Sequence, residues 1–281
     1  MRIEITIREA LGAWEIDIRS RSWLGARRGE RCSAIVRLSV VLAAFMVALC
    51  GCATADTTET VDRADDIYTC IPPVRPAAPP QPVGTSQRIS VVGDSLTNGS
   101  PEGGTGDKRW TAVVQDQLRA NGFDVVVNFG AEGASGYVSH GNRGGVFQGK
   151  ISTTVKTDDS IVIFFGSRND SRASKGELAR ATCDAFREAE IAAPRAQLLV
   201  IGPIGEYPET RESLVRARDI VRNRAQDLNA RFIDPMADGW FSDRQDLIGA
   251  DGVHPTDDGH AYMAQKIAPV IEQMLGASPA A

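Results

Sequence analysis

Residues 88–99 read RISVVGDSLTNG. A short apolar run stops at a glycine and an acid and opens into a turn led by Ser95. Apolar residues then recur at Trp110, Val113, Val114 and Leu118, the spacing of one helical face. The same step from strand to helix repeats along the chain. Phe123 to Val127, Ile161 to Phe165, Leu198 to Ile201 and Arg231 to Ile233 read as further strands, and amphipathic patterns occupy about Lys175 to Ala193, Thr210 to Asn229 and Thr256 to Leu275. The strand segments are continuously apolar, as in strands covered on both faces. Five such strands interleaved with helices predict a parallel five-stranded sheet in a three-layer α/β/α sandwich.

In such sheets active sites gather at the carboxyl ends of the strands. Three predicted strands end there in polar, glycine-containing segments: Gly93 to Gly99, Asn128 to Gly136 and Gly166 to Asp170. The first presents Ser95. A serine hydroxyl needs a base to take its proton, and the base needs a partner that fixes its tautomer and balances its charge. Asp251-Gly252-Val253-His254, just before the last helical pattern, supplies both within one turn. The carboxylate can reach Nδ1 and leave Nε2 facing Ser95. Of the chain's 3 histidines, His260 falls inside an amphipathic helix and reads as a surface or packing residue. His140 lies in a glycine-rich loop, Tyr137 to Lys150, that reads as a rim over the substrate pocket, with Phe147 a candidate substrate contact. Trp240 and Phe241 precede the last motif and are candidates for cleft or core. Acyl transfer by these groups calls for no metal or cofactor, and no Cys/His cluster has zinc-ligand spacing.

Composition narrows the class. The chain has 281 residues, 42% hydrophobic and 24% charged, which suits one sizeable packed domain rather than a disordered or polytopic membrane chain. A net charge of −5 lacks the basic footprint of a nucleic-acid binder.

The front of the chain reads differently from the rest. Leu38 to Cys50 (LSVVLAAFMVALC) is uncharged and almost wholly apolar, and Arg27, Arg28, Arg31 and Arg37 precede it. That run is too short to span a bilayer core and has the layout of an export signal. Leu49-Cys50-Gly51-Cys52 resembles the lipobox of bacterial lipoproteins, which makes Cys52 the lipidated first residue of the mature chain; cleavage near Ala53 to Ala55 with free release is the alternative. The expected location is therefore the outer face of the cytoplasmic membrane, or outside the cell. Membrane contact is expected only through a lipid at Cys52. The mixed, charged residues from Met1 to about Glu30 fit no part of such a signal and suggest a start upstream of the true one. The organisation that follows is an upstream extension and signal (1–51), a proline-rich tether (52–86), a catalytic domain (87–276) and a short tail (277–281). Cys70 and Cys183 remain as two thiols of an exported chain and predict one disulfide that pins the tether to the domain, against two unpaired thiols.

Taken in order, Gly93-Asp94-Ser95-Leu96, Gly133 within Asn128 to Gly133, Asn169 within Gly166 to Asp170, and Asp251 with His254 resemble the four blocks of the SGNH hydrolases, also called the GDSL esterase/lipase family. The resemblance covers roughly residues 87 to 276 and implies a flavodoxin-like SGNH hydrolase fold. It implies Ser95, Asp251 and His254 as catalytic residues, and an oxyanion hole built from the Ser95 N–H, the Gly133 N–H and the Asn169 side-chain amide. Asp94 and Asp170 are read as supports of the nucleophile turn and of the Asn169 loop. The third block carries one additional residue, Arg168, which leaves the part played by Gly166 open. The activity implied is hydrolysis of carboxylic esters, acyl or acetyl, on small-molecule, lipid or glycan substrates. An acyltransferase using the same serine and a non-catalytic ligand-binding lipoprotein are the alternatives.

Overall fold

The computed structural model describes residues 2–10, 13–21, 69–77, 86–206 and 209–276. The predicted signal Leu38 to Cys50, Cys52, residues 78–85 of the tether and the tail 277–281 lie outside the described residues. Among the described residues no helix is long and apolar enough to cross a membrane.

The chain divides into two units, residues 1–55 and 56–281. In the first, β1 (Arg2–Ala10) and β2 (Ala13–Arg21) pair antiparallel, with Ile5 opposite Ile18 and Ile7 opposite Ile16. Charge composition alone predicts no element there. The signal lies in the alternation of Ile3, Ile5, Ile7 and of Trp14, Ile16, Ile18 with polar residues, which has the two-residue period of a strand.

The second unit holds β3 (Gln87–Gly93), β4 (Val125–Ala131), β5 (Asp159–Phe165), β6 (Gln197–Ile201) and β7 (Arg231–Ile233). All pair in parallel, in the order β4-β3-β5-β6-β7. This is the predicted five-stranded sheet. The largest boundary shift is in β4, which starts after Phe123 and runs on through Asn128 to Ala131, because β3 pairs with it residue for residue up to Gly93 opposite Ala131.

Among the described residues six helices flank the sheet: α1 (Ser95–Asn98), α2 (Trp110–Ala120), α3 (Phe147–Thr154), α4 (Lys175–Ala192), α5 (Glu212–Asp227) and α6 (Asp257–Gly276). Successive side chains of a strand point to opposite faces, and β5 shows where each goes. Ile161, Ile163 and Phe165 pack with Trp110 and Leu118 of α2 and Ile267 and Ile271 of α6. Val162 and Phe164 pack with Ile151 of α3, Phe186 of α4 and Val221 of α5. Two cores back to back on one sheet make the three layers. Phe147 belongs to the second core. It is fully buried, with its ring centroid 4.9 Å from that of Tyr137, so it starts a helix under the rim instead of contacting substrate.

Residues 69–77 are fastened to the outside of α4 and α5. Cys70 and Cys183 form a disulfide with Cα atoms 5.6 Å apart. The Cys70 N–H donates to Asp227 Oδ2 at 2.8 Å, and Arg75 pairs with Glu190 and donates to the Pro194 carbonyl. The bridge spans 113 residues, a loop whose closure removes much entropy from the unfolded chain. Replacing both cysteines by serine is expected to lower the unfolding free energy by about 4 to 5 kcal/mol on the loop-entropy account. Urea unfolding of the oxidised protein beside the double variant measures it, and coincident midpoints would contradict the expectation.

Candidate active site

The site is set by where the strand order reverses. β3 connects to β4 on one side and β5 connects to β6 on the other, so the connections that leave β3 and β5 diverge and open a crevice at their carboxyl ends. Ser95 stands in that crevice as the first residue of α1. The chain turns from strand to helix at once because residue 93 is glycine: a Cβ there would stand 2.3 Å from Thr97 Oγ1 and 3.2 Å from the Phe165 carbonyl oxygen. Asp94 then caps α1, its Oδ1 accepting the Leu96 N–H at 2.9 Å.

From the far end of the chain, His254 Nε2 comes within 2.9 Å of Ser95 Oγ, and His254 Nδ1 lies 2.5 Å from Asp251 Oδ2. The other oxygen of Asp251 accepts the backbone N–H groups of Val253 at 2.8 Å and His254 at 2.9 Å. Partial burial raises the Asp251 carboxyl, but the hydrogen bonds from the His254 ring and the two amides outweigh it and hold the group down at about 2. The turn itself is pinned by Gly249 N–H to His254 O at 2.8 Å and Thr256 N–H to Leu247 O at 2.8 Å. The carboxylate of Asp251 and the ring of His254 thus meet within one turn.

Gly133, just past β4, and Asn169, past β5, line the same cleft. The backbone N–H groups of Ser95 and Gly133 meet no acceptor among the described residues. The Asn169 amide nitrogen donates to Ser135 O at 2.8 Å and to Asp94 Oδ2 at 3.2 Å. Both amide hydrogens are engaged, and the longer bond to Asp94 is the one an oxyanion would have to share. The extra residue of this segment is absorbed by letting Ser167 N–H donate to Asp94 Oδ2 at 2.8 Å while Arg168 pairs with Glu206 at 3.3 Å. Gly166 packs against the rings of Tyr137 and Phe147.

Asp94 therefore does more than cap its own turn; one fully buried carboxylate ties the serine helix to the Asn169 segment. Burial pushes its carboxyl up to about 6, against hydrogen bonds from Ser167 and Leu96 that pull it down. Asp170 accepts the N–H groups of Tyr137, Val138 and Ser139 at 2.7, 3.0 and 2.8 Å and so fixes the segment after Gly133 to the one after Asn169.

The cleft encloses about 490 Å³. Leu96, Ile204, Phe241, Ile248 and Val253 give it apolar wall, and Asn142, Arg143, Arg168 and Glu206 give it polar wall. Trp240 and Phe241 are both buried in the first core, and Phe241 also backs the cleft wall. Ala134 and Phe241, both lining the cleft, adopt φ of 64° and 66°. Left-handed backbone in residues with a Cβ is costly and concentrates at functional sites. Glu132, a charged residue directly after β4, also lines the cleft and was not singled out in the sequence; its place ahead of Gly133 was the available signal. His260 is buried, accepts the Trp110 N–H at 3.3 Å and is held at about 4 by burial, which makes it a packing residue. His140 is exposed on the loop, with Nδ1 2.8 Å from Gly144 O. Among the described residues no group of three His, Cys, Asp or Glu is placed to hold a metal ion.

The profile of the GDSL-like Lipase/Acylhydrolase family matches residues 91–262. Over 190 residues the chain is 44% identical to a GDSL lipase of Mycobacterium tuberculosis, an alignment covering 66% of this chain and 82% of that protein. The fold superposes on the lipase/acylhydrolase from Enterococcus faecalis with a TM-score of 0.53 at 16% identity, covering 66% of this chain and 96% of that one. A family two carbohydrate esterase from Clostridium thermocellum, solved in complex with cellohexaose, gives 0.54 at 20% identity, over 71% and 67% of the two chains.

Proposed function

Because this chain belongs to the GDSL-like lipase/acylhydrolase family and is a carboxylic ester hydrolase, we propose that it works as an exported serine esterase with Ser95 as nucleophile. The Ser95 Oγ attacks the ester carbonyl carbon as His254 Nε2 takes its proton, and the carbonyl oxygen becomes an oxyanion. The tetrahedral centre collapses, the C–O bond to the alcohol breaks, and Nε2 returns its proton to that alcohol. Water then repeats the sequence on the acyl-enzyme and frees Ser95. Asp251 keeps the imidazole in the tautomer with Nδ1 protonated and balances its charge without taking the proton. The Ser95 and Gly133 N–H groups receive the oxyanion, and the Asn169 amide joins them by sharing its weaker hydrogen bond; each such donor is worth about 10²- to 10³-fold in kcat.

The observation that carries this reading is the 2.9 Å approach of His254 Nε2 to Ser95 Oγ with Asp251 on the opposite ring nitrogen. Acyl or acetyl esters of lipid or glycan alcohols are the substrate class, in keeping with the lipase and carbohydrate-esterase relatives. Export by the Leu38 to Cys50 signal, lipidation at Cys52 and a tether from Cys52 to about residue 86 complete the proposal. They rest on the sequence pattern alone. The test is intact mass before and after a fluorophosphonate: one adduct is expected on the wild-type protein and none on Ser95→Ala. Folded wild-type protein that takes no adduct overturns the mechanism.

A further inference from the structure

The loop that follows Gly133 is built around a carboxylate. Glu132 is 5% exposed. Its Oε1 accepts the backbone N–H groups of Arg143 at 2.5 Å and Gly145 at 3.3 Å, and its Oε2 meets Lys150 Nζ at 3.0 Å. A Cβ at Gly141 or at Gly145 would come within 2.5 Å of a Glu132 oxygen, so the loop closes on the carboxylate as tightly as glycine allows. The Asn142 N–H then donates to Gly133 O at 3.0 Å, tying the loop tip to the cleft floor.

This construction satisfies Glu132 through backbone amides and Lys150 and sends the Arg143 side chain outward, exposed, at the cleft lining. Arg143 meets no carboxylate among the described residues. The contrast with the other cleft cation is plain: Arg168 pairs with Glu206, which Arg211 also holds. Of the cleft's acids, Glu132 is matched by Lys150, Glu206 lies between two arginines, and Asp251 is matched by His254. Arg143 is thus left at the lip as a guanidinium with no carboxylate partner among the described residues. An exposed guanidinium without a carboxylate partner attracts anions, and its planar fork fits a carboxylate or a phosphate through two hydrogen bonds.

We propose that Arg143, presented by the Glu132-centred loop, binds an anionic group of the substrate, so that the preferred ester carries a carboxylate or a phosphate besides the bond that is cut. The inference rests on the serine-esterase reading and names its substrate class. Two matched pairs test it: monoethyl succinate against ethyl butyrate for a carboxylate on the acyl side, and acetylated glycerol 3-phosphate against glycerol monoacetate for a phosphate on the alcohol side. Wild-type protein is expected to favour the anionic member of one pair, mainly through KM, and that pair names the group. In Arg143→Gln the anionic-to-neutral ratio of kcat/KM is expected to fall by about 10-fold or more, as for loss of a charge-assisted hydrogen bond. Arg143→Lys should restore part of the ratio. No anionic preference in either pair, or a ratio equal in wild type and Arg143→Gln while neutral esters are cleaved, overturns the anion site alone. Failure to cleave any ester together with failure to label Ser95 overturns the esterase reading and this inference with it.

Discussion

Alanine at Ser95 is expected to lower kcat/KM for a neutral short-chain ester by about 10⁶-fold, the scale on which removal of a serine nucleophile abolishes its triad as a unit. The geometry gives reason to expect a clean loss. Among the described residues the one side-chain hydrogen bond of Ser95 is to His254 Nε2. The helix that carries it is capped by Asp94, whose bonds to Leu96, Ser167 and Asn169 do not involve the serine hydroxyl. Removing one oxygen therefore costs the fold little. On the proposed mechanism the backbone donors of residues 95 and 133 and the Asn169 amide remain, and these would leave a residual rate above that of water. The measurement is kcat/KM beside a thermal unfolding midpoint. A variant that keeps even one part in a hundred of the wild-type rate, with an unchanged midpoint, would mean that another group performs the attack.

What could be read in the sequence was what is local or periodic. Strand-helix alternation placed five strands in a parallel sheet, and Asp251 and His254 could be paired because they share one turn. The residues that organise the rest act over distances that spacing does not encode. Asp94 reads as a capping acid, yet it reaches Ser167 and Asn169, more than seventy positions on. Glu132 gains its meaning from amides eleven and thirteen residues later and from Lys150. Phe147 sits in a glycine-rich stretch with no apolar period to mark a helix; its burial comes from the ring of Tyr137 and the second core. β4 runs on past its continuous valines into Asn128 to Ala131 because the neighbouring strand continues the ladder, with Asn128 and Gly130 interrupting the apolar run. The acceptors that hold the Asn169 amide, Asp94 and Ser135, lie 75 and 34 positions away in the chain.

Asparagine at Asp251 is expected to lower kcat by about 10⁴-fold, the scale of a triad left in the wrong tautomer. The two carboxylate oxygens have separate duties. Oδ1 accepts the N–H groups of Val253 and His254, and Oδ2 faces the imidazole. An asparagine must keep its carbonyl toward the two backbone donors, since turning it would set an NH₂ against two N–H groups. Its NH₂ then falls at the position of Oδ2 and donates to Nδ1. That forces the ring proton onto Nε2, where it points at Ser95 Oγ, and the base can no longer accept the serine proton. The turn survives, because the two amide bonds and the bonds of Gly249 and Thr256 are retained. Asp251 is held near 2 and remains ionised throughout the neutral range, so its own titration cannot mimic the effect there. Raising the pH should partly restore the variant, as direct removal of the serine proton by hydroxide bypasses the blocked imidazole. A variant within tenfold of wild type at neutral pH would show that His254 is oriented by contacts other than Asp251.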